Sequence, residues 1–94
     1  MVKFEWHQDK AKANLRKHKV SFEEAATVFS NEPIRIFMDT DNSTDREDRL
    51  IAIGYSQIQR LLVVVHCYRE NDEVIRIVSA RKATRIERKF FEEG

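Results

Sequence analysis

The residues with the most chemistry in this chain stand at one junction. The run Ile75-Arg76-Ile77-Val78-Ser79-Ala80-Arg81-Lys82-Ala83-Thr84-Arg85-Ile86-Glu87-Arg88 passes from a two-residue apolar period into a capped helix start within a few positions. Six cations, Arg76, Arg81, Lys82, Arg85, Arg88 and Lys89, fall between positions 76 and 89 against one acid, Glu87. A strand that opens into a basic helix N-terminus can hold a chain of phosphates by charge. Arginine suits that task best, because its planar fork takes two phosphate oxygens at once and stays charged at any physiological pH. Arg81 closes the strand beside the helix start at Thr84, where the helix dipole adds to its field. The plainer alternative is an ion pair between Arg81 and Glu87, or between Arg81 and an acid of the Asp39 to Asp48 stretch.

Composition narrows the setting. Ninety-four residues make one domain with a single core. The net charge of +1 averages an acidic stretch, Asp39 to Asp48, and the basic C-terminal junction. The lone cysteine, Cys67, lies in an apolar run and has no intrachain partner, which fits a buried thiol in a reducing compartment, the cytoplasm. No stretch approaches the ~20 apolar residues of a membrane span. The sequence shows no His or Cys cluster with metal-ligand spacing, no glycine-rich phosphate loop and no Ser-His-Asp arrangement, so no metal or cofactor is expected. It also lacks a helix-turn-helix joint followed by a basic recognition helix.

The elements that must position the junction follow from periodicity and caps. Val2 to Trp6 alternates as a short strand, and Gln8 to His18 is helical, with Asp9 in its first turn. Ser21 with Glu24 writes a capping box, and Phe22, Ala25, Ala26 and Phe29 give the second helix one apolar face, ended at Asn31-Glu32-Pro33. Four strands follow, Ile34 to Asp39, Arg49 to Ser56, Leu61 to Arg69 and Glu73 to Ala80, joined by short polar breaks that make them antiparallel neighbours. Thr84 with Glu87 is a second capping box, opening a final helix expected to pack Ile86 and Phe90 inward. The reading is an α+β domain in the order β-α-α-β-β-β-β-α, with two N-terminal helices and one C-terminal helix packed on an antiparallel sheet.

A turn at Asn71-Asp72 sets the last hairpin. His66 then faces Ile77, Tyr68 faces Ile75, and Leu62 faces Arg81. Alternation puts His66, Tyr68, Ser79 and Arg81 on one face, and Arg69, Arg76 and Cys67 on the other unless a bulge intervenes.

Phe4-Glu5-Trp6, Lys10-Ala11, Asn14, Lys17-His18 and Val20-Ser21-Phe22-Glu23-Glu24-Ala25 form a pattern that continues through Glu47, Arg49, Ile53-Gly54, Leu62-Val63-Val64-Val65, Arg69, Ile75 to Arg81, Ala83-Thr84 and Glu87-Arg88. Over nearly its whole length the chain resembles the BrnT-type toxins. The resemblance implies a RelE-like fold and a metal-independent ribonuclease of a type II toxin-antitoxin pair. It also implies a ribbon-helix-helix antitoxin as partner and RNA as substrate, with operator DNA met only through the antitoxin complex. Three positions depart from the pattern: His7 stands for an Asp at the first helix start, Lys19 for a Gly after Lys17-His18, and Phe90 near a place where an aromatic hydroxyl is often found. A left-handed cap at Lys19 would cost ~1 kcal/mol that glycine avoids.

Metal-free RNA cleavage needs a base for the 2'-OH, cationic donors for the phosphorane and an acid for the departing 5'-oxygen. Arg81 leads as the cation, and Arg69 is the second arginine. His66 is the side chain that titrates near neutrality, or else a core-edge residue with one hydrogen bond. Glu47 and Arg49 flank a strand start as base and phosphate clamp, or as a cross-strand ion pair. Lys10, Asn14 and Lys17 share one helix face and, with Arg76, Lys82 and Arg85, could follow the RNA backbone; a solvated face is the alternative. A toxin relative that has lost cleavage and keeps only antitoxin binding is the rival from another class.

Overall fold

The computed structural model describes residues 2–40 and 48–94. The chain runs β1 (Lys3–Glu5), α1 (Gln8–His18), α2 (Phe22–Thr27), a 3-10 turn (Val28–Ser30), β2 (Ile34–Met38), β3 (Leu50–Tyr55), β4 (Leu61–Arg69), β5 (Val74–Lys82) and α3 (Arg85–Glu93). The five strands form one sheet in the order β1-β5-β4-β3-β2. β2 to β5 are an antiparallel meander, but β1 joins β5 in parallel, so the sheet is mixed rather than wholly antiparallel. The reason lies in connectivity: α1 and α2 carry the chain from one edge of the sheet to the other before the meander begins, and a long crossover can link strands that a hairpin cannot.

Each face of the sheet has its own core. On the first, Val20, Phe22, Ala25 and Val28 of the helical layer meet Ala52, Leu62, Val64, Ile77 and Ala80. A Cβ at Gly54 would come within 3.0 Å of Val28 Cγ1, so the bare strand is what lets the 3-10 turn settle there. On the second, α3 lays Phe91 against Ile53, Leu61 and Val63. Ile86 and Phe90, expected inside, are 81% and 50% exposed. Phe91 takes the inward position because Glu87, one turn earlier on the same side, is pinned to β5; residues 86 and 90 then fall about 100° round the helix.

The caps are informative in their differences. Thr84 and Glu87 form the complete reciprocal box. Ser21 accepts from the Glu24 N–H at 3.0 Å, but the Glu24 carboxylate turns to Arg60 and to Ser56 Oγ, 2.7 Å away, instead of to its own helix. Arg60 also donates to the Lys19 carbonyl at 3.0 Å, so one partly buried pair fastens α1, α2 and the β3–β4 turn together. His7 stands at the start of α1 without a side-chain capping bond, and Lys19 ends it in the left-handed conformation, φ 61° and ψ 30°.

The β4–β5 register decides where the chemistry goes. His66 pairs with Ile77 and Tyr68 with Ile75, but Leu62 lies opposite Lys82, and Arg81 opposite Val63. A bulge at Val65/His66 of the ladder leaves one surplus residue on β5. Beyond it, Ser79 and Arg81 emerge on the α3 face and Ala80 takes the inward position.

Candidate functional site

β5 projects Arg76, Ser79 and Arg81 from the α3 face, and β4 adds Arg69. Continuing the alternation of β3 one step past Ile51 brings Arg49 to that face also. The bulge thus unites the two arginines that strict parity had separated. They do not share one phosphate, since Arg69 lies six strand residues from Val63, the partner of Arg81, or about 20 Å.

Arg81 is the fixed member of the set. Its Nη1 donates to Glu87 Oε1 at 2.7 Å and its Nη2 to Glu87 Oε2 at 2.8 Å, with a further contact from Nη1 to the Lys82 carbonyl at 3.4 Å. These bonds raise the Arg81 pKa further. They also hold Glu87 well below the ordinary carboxylate range, at about 2, helped by the Thr84 amide against a contrary push from burial. Glu87 is therefore a weak base at neutral pH, and its work is positioning. Of the five guanidinium donors, Nε–H and one Nη2–H have no partner among the described residues, and together they form a second, side-on fork suited to a phosphate. Tyr55 stands on the same face; its hydroxyl donates to Glu92 at 3.2 Å and accepts from Arg88 at 3.4 Å.

Toward the other end of the face, Glu5 lies between two cations, 2.7 Å from Arg76 Nε and 3.5 Å from Arg69 Nε. All three side chains are partly exposed, and the pairs they form are weakly held against solvent.

His66 is elsewhere. It is fully buried on the face covered by α1 and α2, with its ring 4.8 Å from Phe29 and 5.4 Å from Tyr68. Nδ1 sits 3.3 Å from the Val64 carbonyl, and Nε2 has no hydrogen-bond partner. Burial pushes its pKa below the usual value, and the sheet separates it from Arg81, so the expected grouping of the two is not formed. Lys82 follows the same inner parity and lies near Glu24. Glu47 falls outside the described residues, as does most of the acidic stretch.

Lys10, Asn14 and Lys17 do converge, lining one shallow cavity of about 240 Å³ with His18, Val78 and Ser79. Asn14, however, is buried, and its amide is committed: Nδ2 donates to the Val20 carbonyl at 2.9 Å and the Ala80 carbonyl at 2.8 Å, while Oδ1 accepts from the Ala80 N–H at 3.1 Å. β1 pairs with β5 only as far as Arg76, and the Asn14 side chain takes the place of a strand partner beyond it. Asn14 is thus the clasp that holds the strand end next to Arg81, and the two lysines carry the exposed charge around the β5 edge. Arg85 is exposed on the first turn of α3. Sequence reading missed Tyr55, whose signal is weak, and the Glu24–Arg60 pair, whose partners lie far apart in the chain. Among the described residues, no three His, Cys, Asp or Glu side chains are grouped as a metal ion would need, and no helix is long and apolar enough to cross a membrane.

Set against known proteins, residues 6–87 match the family described as "Ribonuclease toxin, BrnT, of type II toxin-antitoxin system". No curated protein matches the chain. Among solved structures, the fold is similar to that of the Brucella abortus ribonuclease toxin BrnT, known from a crystal structure at 1.1 Å, with a TM-score of 0.67 and 23% identity over 90% of this chain and 100% of that one.

Proposed function

The chain belongs to the BrnT family of ribonuclease toxins of type II toxin-antitoxin systems, and from that membership we propose that it is a metal-independent endoribonuclease that cuts RNA and stops translation. The fold is read as RelE-like and the working compartment as the cytoplasm. The partner is a ribbon-helix-helix antitoxin, through which alone the toxin meets operator DNA. In the reaction, the 2'-oxygen attacks the adjacent phosphorus and the P–O5' bond breaks. A base takes the 2'-OH proton, the 5'-oxygen receives one, and the products are a 2',3'-cyclic phosphate and a 5'-hydroxyl.

One observation carries this reading: the Arg81 guanidinium is held rigid by Glu87 with its side-on edge left over for an anion. Fixed cationic donors are the main lever on phosphorane charge, and a donor already in place needs no reorganisation in the transition state. Arg69 and Arg76 at one end, and Lys10 and Lys17 around the edge, support a path for flanking phosphates. The base assigned to this reading is Glu47. The opposing reading, a non-catalytic module that keeps antitoxin binding, draws on the same fork, because Glu87 already neutralises Arg81.

The test is cleavage of total RNA by purified protein in excess EDTA, beside an Arg81→Ala chain with native circular dichroism. Cleavage by wild type alone, leaving cyclic phosphate ends, is the expected result. Intact RNA after a large excess of wild type, both free and on translating ribosomes, would favour the inert module.

A further inference from the structure

On the α3 face, one surface lies outside the cationic site described above. Ile86 is 81% exposed and Phe90 is 50% exposed, four residues apart on one ridge of the helix. Phe90 leans on Phe37 of β2 at 5.7 Å, and Phe37 opens a row of sheet residues, Phe37–Ile51–Val65, that runs toward Ser79. Phe37 is itself 38% exposed, and Ile51 and Val65 are only half-buried. The α3 ridge and this row border a continuous apolar strip that ends beside Arg81.

We infer that this strip is the seat of the antitoxin, and that its occupant is an apolar protein segment flanked by acidic side chains. The inference rests on the family's assignment to a two-component system. Three features argue for that chemistry. An isoleucine left in water on a charged helix is a cost that only a covering apolar surface removes. The strip is mostly aliphatic, offering little of the flat π-surface on which nucleobases stack, and its two aromatic rings already lean on each other. The cations beside it outnumber the acid, Glu93, at its C-terminal end: Arg85 precedes Ile86 and Lys89 precedes Phe90, and neither forms an ion pair among the described residues. A segment with acids at its margins answers both, in the manner of an amphipathic segment laid in a groove.

The experiment uses the full chain and its cognate antitoxin, co-expressed and then titrated as purified components. Ile86→Glu and Phe90→Glu alter exposed positions, and Leu15→Glu, at a residue 50% exposed on α1, is the control. Each ridge variant is expected to weaken the complex about tenfold or more while keeping native circular dichroism, with the control unchanged to within about twofold. Hydrogen exchange in the wild-type complex is expected to slow in α3. Ridge variants that bind the antitoxin as wild type does, whether or not they lose RNA, overturn the seat and would give the strip to substrate. A free wild-type chain that is a dimer, and that Phe90→Glu makes monomeric, overturns it in favour of a second copy. Failure of the antitoxin to bind even the wild-type chain removes the two-component reading itself, a result distinct from an intact complex that ignores the ridge.

Discussion

Arg81 and Glu87 meet through two parallel bonds, 2.7 Å and 2.8 Å long, that tie the last strand to the helix that follows it. The same carboxylate accepts from the Thr84 N–H at 2.8 Å, so a single acid caps α3 and aims the guanidinium. Strand, cap and cation therefore form one mechanical unit.

That unit can be separated by substitution. Arg81→Ala is expected to lower kcat by about 10² to 10³, the range for loss of one transition-state donor. Arg81→Lys keeps the charge but loses the fork, and is expected to recover little. Glu87→Gln keeps a capping side chain and loses only the charged brace, so kcat should fall between about tenfold and a hundredfold with KM nearly constant. Steady-state cleavage of a labelled RNA measures all three, and an unimpaired Glu87→Gln would show that the brace does not position Arg81.

Three groups govern the response to acid: His66, Glu87, and Glu24, whose carboxyl the Arg60 hydrogen bond holds below its usual range and which shares the lower stage with Glu87. Burial lowers the His66 pKa below 6.5, so the unfolded chain takes up the proton first; the stability this group contributes is full above pH 6.5 and declines as the pH falls below it. Glu87 is held down from 4.5 to about 2, so its contribution is full above pH 4.5 and is lost as the pH falls through about 2. Urea midpoints between about pH 8 and about pH 3 should therefore drop in two stages, with Glu87→Gln flattening the lower one. A profile level down to pH 4.5 would refute the His66 stage.

Asn14→Ala should be among the most damaging polar-to-alanine changes. It strands the Val20 carbonyl and both backbone groups of Ala80, at a cost of about 2–4 kcal/mol. Chemical denaturation measures this, and a loss below about 0.5 kcal/mol would mean that water replaces the amide.

Lys19→Gly should stabilise the chain. The residue already sits at φ 61°, a conformation that costs a lysine about 1 kcal/mol and a glycine almost nothing, and the Arg60 bond to its carbonyl is kept. Calorimetry should show a rise of roughly 4–8 °C in Tm, and a fall would mean that the lysine side chain supports the fold.

The strands and helices were legible because caps and periodicity are local: Ser21, Thr84 and Glu87 mark helix starts at any distance from the core, and β4 spans Leu61–Arg69 as its apolar run predicts. Pairing across the chain was less so. The parallel partner of β1 depends on where two helices lead, which no short window of sequence contains. The bulge left a trace that could have been followed: inward positions on β5 run Ile75, Ile77 and then Ala80, a step of three where an unbroken strand requires two. His66 takes the face its parity with Tyr68 assigns, and the expected grouping with Arg81 fails because the bulge turns Arg81 to the other side. Asn14 misled because a polar residue on a helix with lysines looks like surface until its reach to Ala80 is known.

The surplus residue of β5 has a consequence that no side chain reveals. Flatten the bulge with Val78 kept, and everything after it turns over: Ala80 would leave the inner core, and Arg81 would drive a full charge into the apolar layer beneath α2. The aim of the arginine is thus set by a break in the pleat and not by the length of the strand. Deletion of Val78 alone would restore plain alternation, Ile77 inward, Ser79 outward, Ala80 inward and Arg81 outward, and would leave the arginine on the face it already holds.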